Sequence, residues 1–472
     1  MSSFKCKVIL IGLLLTLAIA IPVLAQTIKT DDDTTLKQII IFGRHSIRSS
    51  TVDPSTQAQF AADPYPPFTG VPVGYLTPNG QQAARLLGSY FNSYLLYEGL
   101  LTGNTATDMP RLYFRANSIQ RSNVTAAFFG AGLIPGATVP VHSYELGTPD
   151  PVFDSIAANV ATADPTRALA EVQGIFGSGA AITSAYSGEL SLIRSVLYPP
   201  GTQPAFPPGT LPPTPPASPS PPASYDPTSI AITLTAYTPI VETGGSVNLG
   251  GLGFTTDATD PFVMQYADGF ALQDGAWGRL SLDALSQQTR LTALQINIEM
   301  RPPYISRVQS SNAASHILRS MNQAVSGGNL RGAFGDHKSR VLVIISSDYP
   351  VAGLGGLLGL QWTLPGYQPD FCSPGGALVF ELRQSKTTKE YLVRVFYTSQ
   401  TFDQLRNLTP LTLDVPPATM QLTVPGGSNS ATDLDVKFAT FKKLLSEAID
   451  QKYVQPFGEE VPPGVLDNVP LD

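Results

Sequence analysis

Cysteine is nearly absent. Cys6 and Cys372 are the only two in 472 residues, which excludes a disulfide framework. Histidine is almost as scarce, and His45, His142, His316 and His337 show no metal-ligand spacing, so a zinc enzyme is not expected. Charged residues make up only 14% of the chain, and 29 basic residues face 36 acidic ones for a net charge of −7. The clustered cationic surface of a nucleic-acid partner is therefore not expected. Hydrophobic residues, by contrast, reach 43%, enough for one large or two medium globular domains and too many for a disordered chain.

Long apolar runs are missing apart from one at the start. Lys5 and Lys7 precede an apolar stretch over 8–24 that ends in Val23-Leu24-Ala25, the pattern of a signal peptide cleaved after Ala25. The alternative is a retained anchor, since the run approaches the length of a spanning helix; Pro22 near its end favours cleavage. Removal of 1–25 takes Cys6 with it and leaves Cys372 as a buried small hydrophobe. The expected location is periplasmic or secreted, with no membrane partner after cleavage. Between 199 and 227 there are 13 prolines among Ser, Thr, Ala and Gly, which gives extended chain without a core. This tract is either a linker between domains or an insertion within one.

Three runs read as strands that deliver polar residues at their carboxyl ends. Residues 38–42, β-branched and apolar as in a buried parallel strand, lead into Gly43-Arg44-His45-Ser46-Ile47-Arg48. Residues 340–345 deliver Ser346-Ser347-Asp348, and 111–114 deliver Arg115-Ala116-Asn117-Ser118. Asn117 or Ser118 is expected to cap a helix that carries Arg121, Thr125 and Phe129. Helices are expected over 79–97, 311–325 and 436–453, and 151–285 reads as mostly helical. In open α/β sheets ligands sit beyond the carboxyl ends of the strands, so neighbouring strands would bring Arg44, His45, Arg48, Arg121 and Asp348 to one crevice. Two guanidiniums flanking an imidazole are suited to hold phosphate oxygens while a ring nitrogen attacks phosphorus.

These residues resemble the histidine acid phosphatases, in the branch of periplasmic phytases and glucose-1-phosphatase. The family's Arg-His-Gly-x-Arg-x-Pro corresponds to Arg44 through Ser50, and Leu76-Thr77-Pro78-Asn79-Gly80 to the segment after it. Gln120 through Phe129 is similar to the helix that bears a third arginine, and Gly275 through Leu280, Leu360 through Gly366 and Pro374 through Glu381 continue the match. The resemblance implies an α/β fold with a mainly parallel central sheet flanked by helices. It divides the chain into an α/β domain (26–150 and 286–472) and an inserted, mostly helical cap (151–285) that holds the proline-rich loop. It further implies His45 as nucleophile, Asp348 as general acid, Arg44, Arg48 and Arg121 as phosphate ligands, no metal or cofactor, and a small phosphomonoester as the partner.

The chain departs from this pattern at several points. Where the family reads His-Asp-x-Asn, this chain has Ser347-Asp348-Tyr349-Pro350; Ser347 is left as a neutral substitute donor, and Pro350 is expected to disturb Asp348. Ser46 replaces Gly, and Ser50 replaces Pro, which is expected to relax the loop. Val52 stands where phytases carry a lysine, so an ester less charged than phytate is expected. Gly353, Gly355 and Gly356 are expected to let a helix approach the sheet. The function read from the sequence is an exported, acid-active phosphatase with reduced activity; the alternative is a pseudophosphatase that binds a phosphorylated ligand without turnover.

Overall fold

The computed structural model describes residues 33–211, 223–236 and 247–456. The leader at 1–25 and residues 212–222 of the proline-rich tract lie outside the described residues. Among the described residues there are ten strands: β1 (Thr34–Arg44), β2 (Leu112–Ala116), β3 (Val141–His142), β4 (Ile232–Ala236), β5 (Val247–Gly250), β6 (Val341–Ser346), β7 (Ala377–Ser385), β8 (Tyr391–Ser399), β9 (Ala418–Gln421) and β10 (Val436–Lys437). The central sheet runs β10-β8-β7-β1-β6-β2-β3, with β9 on β8. β1, β6, β2 and β3 pair in parallel, while β7 to β10 add an antiparallel half.

The β-branched runs form central strands because both of their faces are buried. Side chains alternate across a strand: Ile40, Phe42, Leu342, Ile344 and Phe380 enter one core, and Ile39, Ile41, Val341, Val343 and Val379 the other. Helices Pro78–Tyr97 and Gln120–Leu133 cover the second face through Leu87, Phe91, Phe129 and Leu133. They cross closely: a Cβ on Gly88 would meet the Phe129 carbonyl at 2.0 Å, and one on Gly132 the Arg85 carbonyl at 2.0 Å. Buried Arg383 ties this layer to the sheet, bonding Glu381 on β7 at 2.7 Å and Glu98 at the helix end at 2.8 Å. On the first face lie helices Leu282–Met300, Pro303–Ser326, Asp348–Leu357 and Phe438–Ala448. The same core continues without a break into helices Pro165–Phe176, Ser187–Leu197 and Gly251–Ala267 and the β4–β5 hairpin, through Val172, Ile193, Phe262 and Leu249. No helix among the described residues is long and apolar enough to cross a membrane.

Several expectations need correction. The helix expected over 311–325 starts at Pro303, since proline fits a first turn whose N–H groups have no intrahelical partner. The helix expected over 436–453 is Phe438–Ala448: residues 436–437 are drawn into the sheet as β10, and 451–453 form a separate 3-10 turn. Neither Asn117 nor Ser118 caps helix Gln120–Leu133; Asn117 accepts from the Ser118 N–H, and the Ser118 hydroxyl turns to the Thr148 carbonyl. The glycines of helix Asp348–Leu357 do not face the sheet: Gly355 faces the Trp362 ring and the Arg301 guanidinium, and Gly353 and Gly356 face the helices before it. A Cβ on Gly353 would meet Ser310 Oγ at 2.5 Å, and one on Gly356 the Arg301 backbone at 2.6 Å.

Candidate active site

The parallel register places three strand ends together. Arg44 lies beside Ser346, and Gly43 and Ala116 both lie beside Ile345. The loop after β1 is gripped on every side. The His45 N–H donates to the Ser346 carbonyl at 2.8 Å, the Arg44 N–H to Gly376 at 2.8 Å, and Gly375 donates to the His45 carbonyl at 3.0 Å. Arg48 bridges to Leu76, Thr77 donates to Ile47 at 3.0 Å, and Gly80 leaves only 2.1 Å between a Cβ and the Ile47 carbonyl. This packing accounts for the Leu76-Thr77-Pro78-Asn79-Gly80 motif. From helix Gln120–Leu133, Thr125 Oγ1 accepts the Ser46 N–H at 3.1 Å. Ser50 does not relax the loop: its hydroxyl donates to the Val52 carbonyl at 3.1 Å and accepts from the Val52 N–H at 3.0 Å and from Gln57 at 2.6 Å.

The five expected side chains converge. His45 is 1% exposed, and its Nδ1 lies 2.8 Å from the Ser46 carbonyl. A carbonyl only accepts, so Nδ1 carries the proton and Nε2 keeps its lone pair. Burial, followed by the charges of Arg121, Arg44 and Arg48, holds the imidazole well below its usual pKa, so it stays neutral into acid conditions. Arg44 donates to the Cys372 carbonyl at 2.5 Å and pairs with Asp348 at 3.0 Å. Arg121 donates to the Gly74 carbonyl at 3.3 Å. Burial and Arg48 push it down to about 10, which leaves it cationic at any working pH.

Ser347 sits at the N-cap of helix Asp348–Leu357, half-buried, and its side chain caps no backbone N–H. Pro350 occupies the first turn, where it breaks no helical bond, so the expected disturbance of Asp348 does not arise. The other histidines lie elsewhere: His142 stacks on Tyr113, His316 on Phe334, and His337 bonds Asn329.

Sequence reasoning missed the acids around the site. Asp260, on helix Gly251–Ala267, grips Arg48 through two 2.8 Å bonds. Burial pushes its carboxyl up, and Arg48 more than reverses this, so it titrates below the usual range. Glu299 is pushed up to about 7, chiefly by burial and then by Asp257 and Asp348; Asp257 is pushed the same way by partial desolvation and by Asp260, although its side chain reaches solvent. The available signals were two aspartates three residues apart in the otherwise uncharged segment 252–264 and a lone acid closing helix Leu282–Met300.

These groups make stability depend on pH. Asp154 and Asp268 are likewise pushed up to about 6 by burial. Such carboxyls bind more protons folded than unfolded between their ordinary pKa of about 4 and their folded values. The contribution of these carboxyls to stability therefore falls as pH rises through this window, while the buried imidazoles of His45 and His316, held below their usual range, contribute in the opposite sense below about pH 6.5. Above that range the carboxyls dominate; since Asp257 and Glu299 reach solvent, screening reduces the effect, and we expect the melting temperature to drop by roughly 1–3 °C between pH 6.5 and pH 8. A melting temperature that is flat or rises over that range contradicts the assignment.

No family model matches the chain. Phytase AppA of Escherichia coli K12 is 27% identical over 440 residues, covering 92% of this chain and 96% of the enzyme. Glucose-1-phosphatase of Providencia rettgeri is 25% identical over 449 residues, covering 93% and 98%. Among solved structures, Hafnia alvei phytase in complex with tartrate superposes with a TM-score of 0.78 at 25% identity, over 90% of this chain and 99% of that one. The same phytase in complex with myo-inositol hexakis sulphate gives 0.75 at 26%, over 90% and 99%.

Proposed function

The chain is a homologue of the histidine acid phosphatases that include phytases and glucose-1-phosphatases, and from this premise we propose that it is an exported phosphomonoesterase working through a phosphohistidine on His45. The observation that carries the reading is a neutral, buried imidazole whose Nδ1–H is tied to Ser46 while three guanidiniums surround it. Nε2 attacks phosphorus, and the P–O bond to the alcohol breaks. Arg44, Arg48 and Arg121 take the phosphoryl oxygens, the first two exchanging part of their pairing with Asp348 and Asp260 for phosphate. Protonated Asp348 gives its proton to the leaving oxygen. The resulting carboxylate takes a proton from the water that attacks the phosphohistidine, releasing phosphate and neutral His45. The need for a protonated acid puts the rate maximum below neutral pH.

The uninterrupted core supports one α/β unit (26–150 and 286–472) with 151–285 as its cap, and the leader pattern supports action in the periplasm or the medium. A second reading, a module that binds phosphate esters without turnover, draws on Ser347, whose neutral hydroxyl stands where the family carries an imidazole donor. The test is release of inorganic phosphate from p-nitrophenyl phosphate between pH 3 and 8, with acid-quenched trapping of the phosphoenzyme. Turnover that peaks at acid pH together with a trapped N-linked phosphate supports the enzyme. Absence of both in a folded protein that still binds phosphate selects the module.

A further inference from the structure

The loop that carries His45 rests on a small enclosed cavity between β1 and helices Pro78–Tyr97 and Gln120–Leu133, walled on its apolar side by Ile41, Leu87 and Phe129. Arg44, Ser46 and Gln400 line it too. These three are 4%, 1% and 1% exposed, and each keeps buried polar atoms that no protein group satisfies: Arg44 Nε, Ser46 Oγ, and both Oε1 and Nε2 of Gln400. A buried amide with neither end bonded is rare. Nor is Gln400 on a loose turn. It follows β8 directly, its carbonyl accepts from Tyr367 at 2.7 Å and from Ser399 at 3.0 Å, and Thr401 after it opens a capping box with Gln404. Its Oε1 lies 3.9 Å from where a Cβ on Gly375 would stand, and the Gly375 N–H is the one that donates to the His45 carbonyl. The cavity offers about 10 Å³, the least that admits one water and too little for a larger ion.

We propose that one buried water occupies this cavity, bonded to Gln400, Ser46 Oγ and Arg44 Nε, and that Gln400 is thereby a positioning residue for the nucleophile. The inference rests on the phosphomonoesterase reading and deepens it. The water accepts from Arg44 Nε–H and from the Gln400 amide and donates to Ser46 Oγ, which is the usual number of bonds for a buried water. Arg44 and Ser46 flank His45: the Ser46 carbonyl holds the Nδ1–H, and Arg44 pairs with Asp348. One molecule that ties both neighbours to Gln400 fixes the loop from beneath, as Thr125 and Gly375 fix it from the sides. The hydroxyl that stands in place of a glycine at position 46 gains its partner in the same way.

The test is a crystal structure of the full chain, beside kinetics of Gln400→Met, Ser46→Ala and the double variant on p-nitrophenyl phosphate. We expect one solvent peak within hydrogen-bond distance of Gln400, Ser46 Oγ and Arg44 Nε. Each single variant is expected to lose about tenfold in kcat with KM changed by less than about threefold, since a displacement of well under about 1 Å at the nucleophile suffices for that. The double variant should lose no more than the worse single one, because both changes remove the same water. An empty cavity, a Gln400 amide bonded to protein instead, a native kcat in Gln400→Met, or losses that multiply in the double variant overturns the proposal. The two readings fail separately. The peak, with non-additive losses of melting temperature in a protein that turns over no ester, supports the water and rejects the catalytic reading; acid-active turnover without the peak does the reverse.

Discussion

Replacing His45 with alanine lowers kcat for p-nitrophenyl phosphate by about 10⁴-fold or more, the scale on which an essential nucleophile acts, and removes the trapped phosphoenzyme. The geometry leaves no substitute. Among the described histidines only His45 stands within the influence of Arg44, Arg48 and Arg121, and the nearest hydroxyl-bearing strand end, Ser346, has its Oγ turned to the Gly43 and Ser347 carbonyls. The imidazole can attack because it is neutral. Burial and three guanidiniums together make protonation unfavourable, so the nucleophile keeps its lone pair as the pH falls below neutral. The substitution removes one buried ring and one hydrogen bond, a cost of about 1–3 kcal/mol. A circular-dichroism melt therefore separates lost chemistry from lost folding. A folded variant that keeps more than a tenth of the rate rejects the phosphohistidine route and leaves water as the attacking group.

The parts of this site that sequence reveals are those built from strand ends. A run such as Ile39 to Phe42 has few ways to bury both of its faces, and once it is a central strand the position of Arg44 and His45 at its carboxyl end follows. The same reasoning places Asp348 after β6 and Arg121 after β2, and the parallel register sets those strand ends side by side. The arginine partners were hidden for a different reason. Asp260 meets Arg48 across 212 positions of sequence, from a helix whose apolar residues say which face is buried and nothing about which face borders a cleft. Glu299 is equally silent, because its partner across the fold, Tyr349, is brought to it only by the turn after β6. The short strands β9 and β10 escaped because each exists only through pairing with β8; local pattern carries no record of such a partner. Ser50 was misjudged because backbone preference was weighed without its hydroxyl, which closes three hydrogen bonds that the loop uses instead of a proline ring.

Ser347→His raises turnover. The position is prepared for a larger donor: it caps helix Asp348–Leu357 without bonding its backbone, is half-buried, and adjoins Ser346, the register partner of Arg44. A side chain there leaves the strand end beside the guanidinium that pairs with Asp348. An imidazolium at this point adds a charged donor to the oxygens of the phosphoryl group as negative charge spreads over them, and one preorganised donor is worth roughly 10²–10³ in rate. Because the bond strengthens as the transition state forms, the gain belongs to kcat more than to KM. It also grows as pH falls, since only the protonated ring donates with full charge. The measurement is the pH profile of kcat and KM for p-nitrophenyl phosphate in both proteins, with Ser347→Ala beside them. A rise of this size, with Ser347→Ala close to the native rate, means that the native hydroxyl contributes little and the protein is an enzyme short of one donor. If Ser347→His is instead slower than the native protein and Ser347→Ala slower still, the hydroxyl is itself the donor on which the reaction depends. The neutral hydroxyl is then matched to a cleft already crowded with Asp257, Asp260, Glu299 and Asp348, where a new imidazolium would be drawn to a carboxylate before it reached the phosphate.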